Sequence, residues 1–159
     1  MEPASPAIPA DLGPDKALAI GSYGESVAAY RYLIFAEKAA TQRQRDLFAS
    51  MADEEQSHKQ RLQRLLAQLY PDADFVLSEN DKALVVVGPR LLDVRDADSF
   101  SAALRLTLAT EQRTATFYHA LAQLIRTDPL HAVFKELAEE GAEHYQRLQT
   151  LFREADTSA

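Results

Sequence analysis

Ala52-Asp53-Glu54-Glu55-Gln56-Ser57-His58-Lys59-Gln60-Arg61-Leu62-Gln63 decides the fold when set beside Ala138-Glu139-Glu140-Gly141-Ala142-Glu143-His144-Tyr145-Gln146-Arg147-Leu148-Gln149. The two stretches share Ala52/Ala138, Glu54/Glu140, His58/His144 and a Gln-Arg-Leu-Gln run at a constant offset of 86 residues. In the first, Phe48, Met51, Glu55, His58, Leu62, Leu65 and Leu69 recur at alternating spacings of three and four, the period of a helical stripe that faces partner helices. Glu55 and His58 therefore belong to a buried stripe. In the second, Phe134, Leu137, Gly141, His144, Leu148 and Leu151 keep the period, with His144 inward and a glycine at the place of Glu55.

The offset continues upstream without a gap. It pairs Glu25 with Glu111, Ala29 with Ala115, Tyr32 with Tyr118, Ala36 with Ala122 and Thr41 with Thr127. The chain thus reads as two copies of one helical hairpin, which pack most simply about a pseudo-two-fold axis. Glu25 lies on the stripe Leu18, Glu25, Ala29, Tyr32, Ala36 of the first helix. Glu111 lies on the stripe Leu104, Leu108, Glu111, Ala115, Tyr118 of the third.

Turn signals set the boundaries. Residues 1–13, rich in proline and alanine, read as a flexible tail, and Pro14 suits the first helical position. The first helix is expected to run to about Ala40. Thr41-Gln42-Arg43-Gln44 reads as a capping box opening a second helix that Pro71 stops. Residues 71–97 lose the helical period, look briefly extended at Leu84–Val87 and turn at Gly88-Pro89. Asp98 or Ser99 can cap a third helix reaching about Arg126, and Asp128-Pro129 starts a fourth that ends after Glu154. A linker of that length can cross from one end of a bundle about 40 Å long to the other, at about 1.5 Å per helical residue. The expectation is an all-α, ferritin-like four-helix bundle over residues 14–155, made of two antiparallel hairpins joined by a long crossover.

Composition narrows the chemistry. A chain of 159 residues with 47% hydrophobic content can build one real core, and its few glycines favour helix. A net charge of −7 disfavours phosphate backbones and anionic membranes, so neither nucleic acid nor membrane is an expected partner. The absence of cysteine removes disulfides, thiolate metal sites and cysteine nucleophiles. The N-terminus has no apolar core of a signal peptide and no run is long enough to span a bilayer, so a cytoplasmic location is expected. His119 and His131 lack ligand spacing and read as surface residues.

Burying several carboxylates together is unfavourable unless something positive neutralises them. The stripes carry no Lys or Arg. Two divalent cations would neutralise the cluster, and carboxylate with neutral imidazole suits iron or manganese, with zinc also able to bind. Glu-x-x-His places both side chains on one helical face, as Glu55 and His58 do, and the di-metal bundle pattern supplies two such pairs and a Glu from each remaining helix. Gly141 breaks the second pair, which predicts a fuller shell for a metal near His58 than for one near His144.

Gly24-Glu25-Ser26 with Tyr32, the Ala52-x-Glu54-Glu55-x-x-His58 run with Leu62, and Glu111 followed by Tyr118 resemble the rubrerythrin branch of the ferritin-like di-iron carboxylate proteins over about Ala17 to Phe152. The resemblance implies Glu25, Glu55, His58, Glu111 and His144 as metal ligands, with Glu55 and Glu111 as bridges. It implies Tyr32 and Tyr118 as the residues that hydrogen-bond the site and position oxygen species. Glu140, four residues before His144, can replace the ligand missing at Gly141. The four-cysteine rubredoxin module is absent, which leaves the electron donor external and unknown. The implied cofactor is two iron ions, and the implied activity is reduction of peroxide or oxidation of ferrous iron by oxygen. A metal-binding or storage bundle, or a structural bundle with a degenerate site, is the alternative. The family also implies a homo-oligomer.

Overall fold

The computed structural model describes residues 6–157, and these form five helices: α1 (Pro14–Lys38), α2 (Gln42–Leu69), α3 (Glu79–Ala83), α4 (Ala97–Leu124) and α5 (Leu130–Thr157). Among the described residues there is no strand, and no helix is long and apolar enough to cross a membrane. The fold is a ferritin-like helical bundle. Of the expected tail, residues 1–5 lie outside the described residues, while Ile8 and Leu12 pack against the core.

Local chemistry sets the helix ends. Thr41 Oγ1 accepts the Gln44 amide at 3.2 Å and opens α2 after the short turn from α1. The start of α4 lies earlier than Asp98 or Ser99. Asp96 is the cap, in a capping box with Ser99: Asp96 Oδ1 accepts the Ser99 amide at 2.8 Å and Ser99 Oγ accepts the Asp96 amide at 2.9 Å. The α4 C-terminus is closed by His131, whose Nδ1 lies 2.9 Å from the Ala122 carbonyl and 3.1 Å from that of Ile125. His131 is thus half-buried and structural, whereas His119 is exposed.

Side-chain pairs fix the helix directions. Tyr32 reaches Glu111 and Tyr118 reaches Glu25, so α1 and α4 run antiparallel. Glu54 reaches His144 and Arg61 reaches Glu136, so α2 and α5 are antiparallel too. With each hairpin antiparallel within itself, α2 ends at the opposite end of the bundle from the start of α4. The crossover must travel the full length.

The crossover is packed structure. Leu84, Val85 and Val86 are buried, but Leu84 is helical (φ −66°, ψ −25°) and Leu84–Val85 form a turn after α3, so the extended reading of this segment is corrected. Capping by Ser78 and Asp81 makes a short helix of a stretch that lacks helical period. The segment lies in the groove between α1 and α4. Gly24 makes the approach possible, since a Cβ there would stand 2.9 Å from Val85 Cβ. Thr114 Oγ1 donates to the Val85 carbonyl at 3.0 Å, and Arg31 donates to the carbonyls of Val87 (2.8 Å) and Pro89 (2.9 Å) and to Thr110 Oγ1 (2.8 Å). Arg31 is fully buried, and α1 is consequently buried on far more than the single stripe its period predicts.

Two apolar clusters fill the bundle, one around Leu18, Ile20, Leu62, Phe134 and Leu137, the other around Phe35, Phe48, Met51, Leu104 and Leu148. Between them lies a layer of acids and imidazoles.

Arg31→Leu leaves the Val87 and Pro89 carbonyls without their charged donor. We expect it to lower unfolding free energy by about 2–4 kcal/mol and to speed amide exchange in residues 84–89, as read by urea titration and hydrogen exchange. Unchanged exchange there would contradict the anchoring role.

Candidate metal centre

The polar layer draws one acid or imidazole stripe from each long helix. Glu25 comes from α1, Glu55 and His58 from α2, Glu111 from α4 and His144 from α5. Glu25, Glu55, Glu111 and His144 are 2–4% exposed, far below what three carboxylates accept without compensation. Their ligand atoms form two triads, Glu25/Glu55/His58 and Glu55/Glu111/His144, each with its atoms within 4.8 Å of one another. Glu55 belongs to both.

The histidines are arranged alike. His58 Nδ1 faces Glu25 Oε2 (3.5 Å) and Glu55 Oε2 (3.8 Å), and His144 Nδ1 faces Glu55 Oε1 (2.6 Å) and Glu111 Oε1 (3.9 Å). The outer nitrogens meet other carboxylates. His144 Nε2 lies 2.5 Å from Glu54 Oε2, and His58 Nε2 contacts Glu140 Oε2. Each outer glutamate thus sits four residues before the histidine of its own helix yet serves the histidine of the opposite helix. A carboxylate on Nε2–H holds the tautomer whose Nδ1 lone pair points to the centre, the usual support of a metal-bound imidazole.

Glu140 accordingly stands outside both triads. α5 continues as regular helix through Gly141, and no bulge swings Glu140 toward His144. Glu54 has a place that its sequence position alone, beside the stripe, did not reveal; the signal was its match to Glu140 in the repeat. Tyr32 Oη donates to Glu111 Oε1 at 2.5 Å and Tyr118 Oη donates to Glu25 Oε1 at 2.8 Å. Gly21 makes room for the second bond, because a Cβ there would lie 2.9 Å from Tyr118 Oη. The triads are also matched in composition: each has one imidazole, one glutamate of its own and Glu55 between them. Neither triad is richer in candidate ligands than the other, where the sequence predicted a fuller set near His58.

Charge in the layer is balanced by protons. Burial, then repulsion from Glu55, pushes Glu25 up to about 8. Burial alone would lower both imidazoles, yet hydrogen bonds and attraction from Glu25 and Glu55 push His58 up to about 10, and those from Glu111 and Glu55 push His144 up to about 12. Burial and repulsion from Glu111 would raise Glu55, but hydrogen bonds from Glu25, His144 and His58 hold it below the ordinary range. Burial and the adjacent carboxylates raise both tyrosines well above 10, so they remain donors. His144 Nδ1 is nevertheless fully buried without a partner in hydrogen-bonding geometry. A donor atom so placed, between two carboxylates and with its other nitrogen tied down, fits a cation, and the oxygen and nitrogen set suits iron, manganese or zinc.

A family model described as Rubrerythrin matches residues 16–152. The chain belongs to the rubrerythrin family. A solved structure of a hypothetical protein from Pyrococcus furiosus aligns with a TM-score of 0.77 and 22% identity over 91% of this chain and 90% of that one, a likeness of fold. No curated protein sequence matches the chain. Members of the rubrerythrin family usually bind metal, and the candidate ligands here are the two triads.

The raised groups give metal-free protein a definite pH dependence. Glu25, His58 and His144 hold protons in the folded state that the unfolded chain releases above about 4.5 and about 6.5. Their contribution is complete below those values and is lost as pH rises toward about 8, 10 and 12. Stability should fall with rising pH from about 5 to 9, by up to about 1.4 kcal/mol per pH unit for each group titrating only when unfolded. Glu54 and Glu55, held low, contribute an opposite loss in acid as pH falls through their folded values. Metal binding needs deprotonated ligands, so in metal the slope between pH 5 and 8 should reverse. Melting curves with iron(II) and with chelator check this; the same falling slope in both would mean that the layer takes no cation.

Glu54→Ala should weaken metal binding about 10- to 100-fold although Glu54 lies outside both triads. Competition with a coloured chelator measures it, and unchanged affinity would show that His144 needs no outer carboxylate.

Proposed function

We propose that this chain holds two metal ions, iron first among them, one in each triad with Glu55 between them, and that the centre reduces peroxide or reacts with oxygen. The observation that carries the reading is the pair of opposed histidines, each presenting Nδ1 to buried carboxylates while its Nε2 is held by Glu54 or Glu140. Iron would supply one-electron exchange at each ion, two electrons in all, which is what cleavage of peroxide to two waters requires together with two protons.

The remaining parts of the site concern access and protons. A small cavity lined by Gly24, Glu25, Glu55, Glu111, Tyr118 and Gly141 adjoins the carboxylates, and its Gly141 side lacks the glutamate of the first hairpin. The cavity is about 10 Å³, the size of one water, and Gly141 keeps that wall clear of a side chain. Tyr118 and Tyr32 keep their protons and hold Glu25 and Glu111 in fixed orientations. The buried apolar layers on both sides exclude bulk water.

Elemental analysis after anaerobic iron loading should find close to two metals per chain, and calorimetry should resolve two sites of similar affinity. Gly141→Glu restores the missing carboxylate, whose Cβ would stand a tight 3.3 Å from Ala115 Cβ, so pairing it with Ala115→Gly gives it space. The double variant should bind both metals at least about tenfold more tightly through the added charge and react more slowly with peroxide. A stoichiometry near zero in a folded protein would end the proposal, and one tight site beside one weak site would refute the shared-Glu55 arrangement.

A further inference from the structure

The crossover closes one side of the acid layer. Along the α1–α4 groove Val85 presses on Gly24, and its carbonyl is held by Thr114. On the α2–α5 side the layer is spanned by partly exposed charged side chains. Glu54 and Arg147 stand beside His144, and Glu140, Arg61 and Glu136 stand beside His58.

The repeat makes these two stations counterparts. Glu54 matches Glu140 and Arg61 matches Arg147 at the offset of 86, and each glutamate holds the Nε2 of the opposite histidine. The arginines nevertheless stand differently. Arg147 lies on the inner carboxylate, with Nη1 3.4 Å from Glu54 Oε1, and also pairs with Glu143. Arg61 is drawn instead to Glu136 at 2.9 Å, one helical turn before Glu140, and among the described residues no lysine or arginine pairs with Glu140. The counterpart of Glu136 in the first hairpin is Ser50, so that competitor is missing for Arg147. Each station holds two glutamates and one arginine, Glu136, Glu140 and Arg61 against Glu54, Glu143 and Arg147. They differ in where the guanidinium stands, not in total charge.

Access follows the same asymmetry. The His58 side chain is 13% exposed and that of His144 3%. His58, Glu25, Glu55 and Gly141 line the one-water cavity beside the carboxylates, and His144 is not among its lining residues. A cation that passes Glu140 meets His58 and then this space, whereas one that approaches Glu54 meets a guanidinium.

We propose that divalent cations reach the acid layer through the Glu140–His58 station, and that Glu136 is a positioning residue that keeps this station open by holding Arg61 aside. An uncapped carboxylate at the surface attracts the incoming ion, and Arg147 repels it at the other station. The triad of Glu25, Glu55 and His58 then receives the first ion. Entry of this kind presupposes that the triads hold metal, as proposed above.

Metal-free protein mixed rapidly with cobalt(II), whose absorption changes as it gains protein ligands, reports uptake without any turnover. Glu136→Ser installs the residue of the other hairpin and frees Arg61 to cap Glu140. It should slow uptake about tenfold, within the range of electrostatic steering, at an unchanged final stoichiometry. Adding Arg147→Gln to it should recover most of the rate by uncapping Glu54. Glu139→Ser removes the same charge from the same helix, but in the groove that α5 forms with α4, and should change the rate by less than about twofold. Equal rates in Glu136→Ser and the unaltered protein, or equal slowing by Glu139→Ser, would overturn the entry route while two bound ions per chain left the di-metal reading standing. A folded chain that takes up no cobalt would end that reading and the route together.

Discussion

Three carboxylates and two imidazoles packed into one layer between apolar clusters form the constraint on which this molecule turns. Each member would be costly to bury alone, and together they persist because each carboxylate faces a phenol or an imidazole. The same balance makes the layer receptive. Protons that settle the charge in the metal-free chain occupy the places that a cation would take, so folding and metal uptake draw on one set of groups.

The rest of the fold holds that layer at the right depth. Gly21 and Gly24 let Tyr118 and Val85 approach α1 more closely than a side chain would permit, and the crossover then seals the α1–α4 groove. Arg31 ties the crossover down from inside. Its guanidinium is a permanent positive charge that the helix stripes themselves do not contain, and attraction toward Glu111 is among the influences on its protonation.

Much of this was legible in the residues. Periodicity placed Glu25, Glu55, Glu111 and His144 inside, and all four are buried. The length of the segment after Pro71 implied the crossover, and the antiparallel pairing of α1 with α4 shows why it must be long. Periodicity failed where a third object covers a helix: it could not foresee Arg31 or the burial of α1 against the crossover, because a stripe records only regular neighbours. The short α3 escaped notice because two capping side chains, rather than an apolar repeat, define it. Glu54 and Glu140 could not be placed from spacing for a different reason. A side chain at the margin of a stripe belongs to whichever helix it can reach, and sequence spacing describes only the helix it is on. Leu69, on the predicted stripe, is exposed at the last residue of α2.

The crossed support of the histidines has a consequence for what kind of molecule can carry this centre. Glu54 steadies His144 and Glu140 steadies His58, so neither hairpin contains a finished half, and the parts become competent only when the hairpins meet. A symmetric pair of identical hairpins could satisfy that crossing equally well. Such a pair would, however, carry the shared glutamate twice or not at all. One Glu55 common to both triads, matched by Gly141 in the other copy, is an odd number that identical halves cannot supply and that two halves free to differ along one chain can.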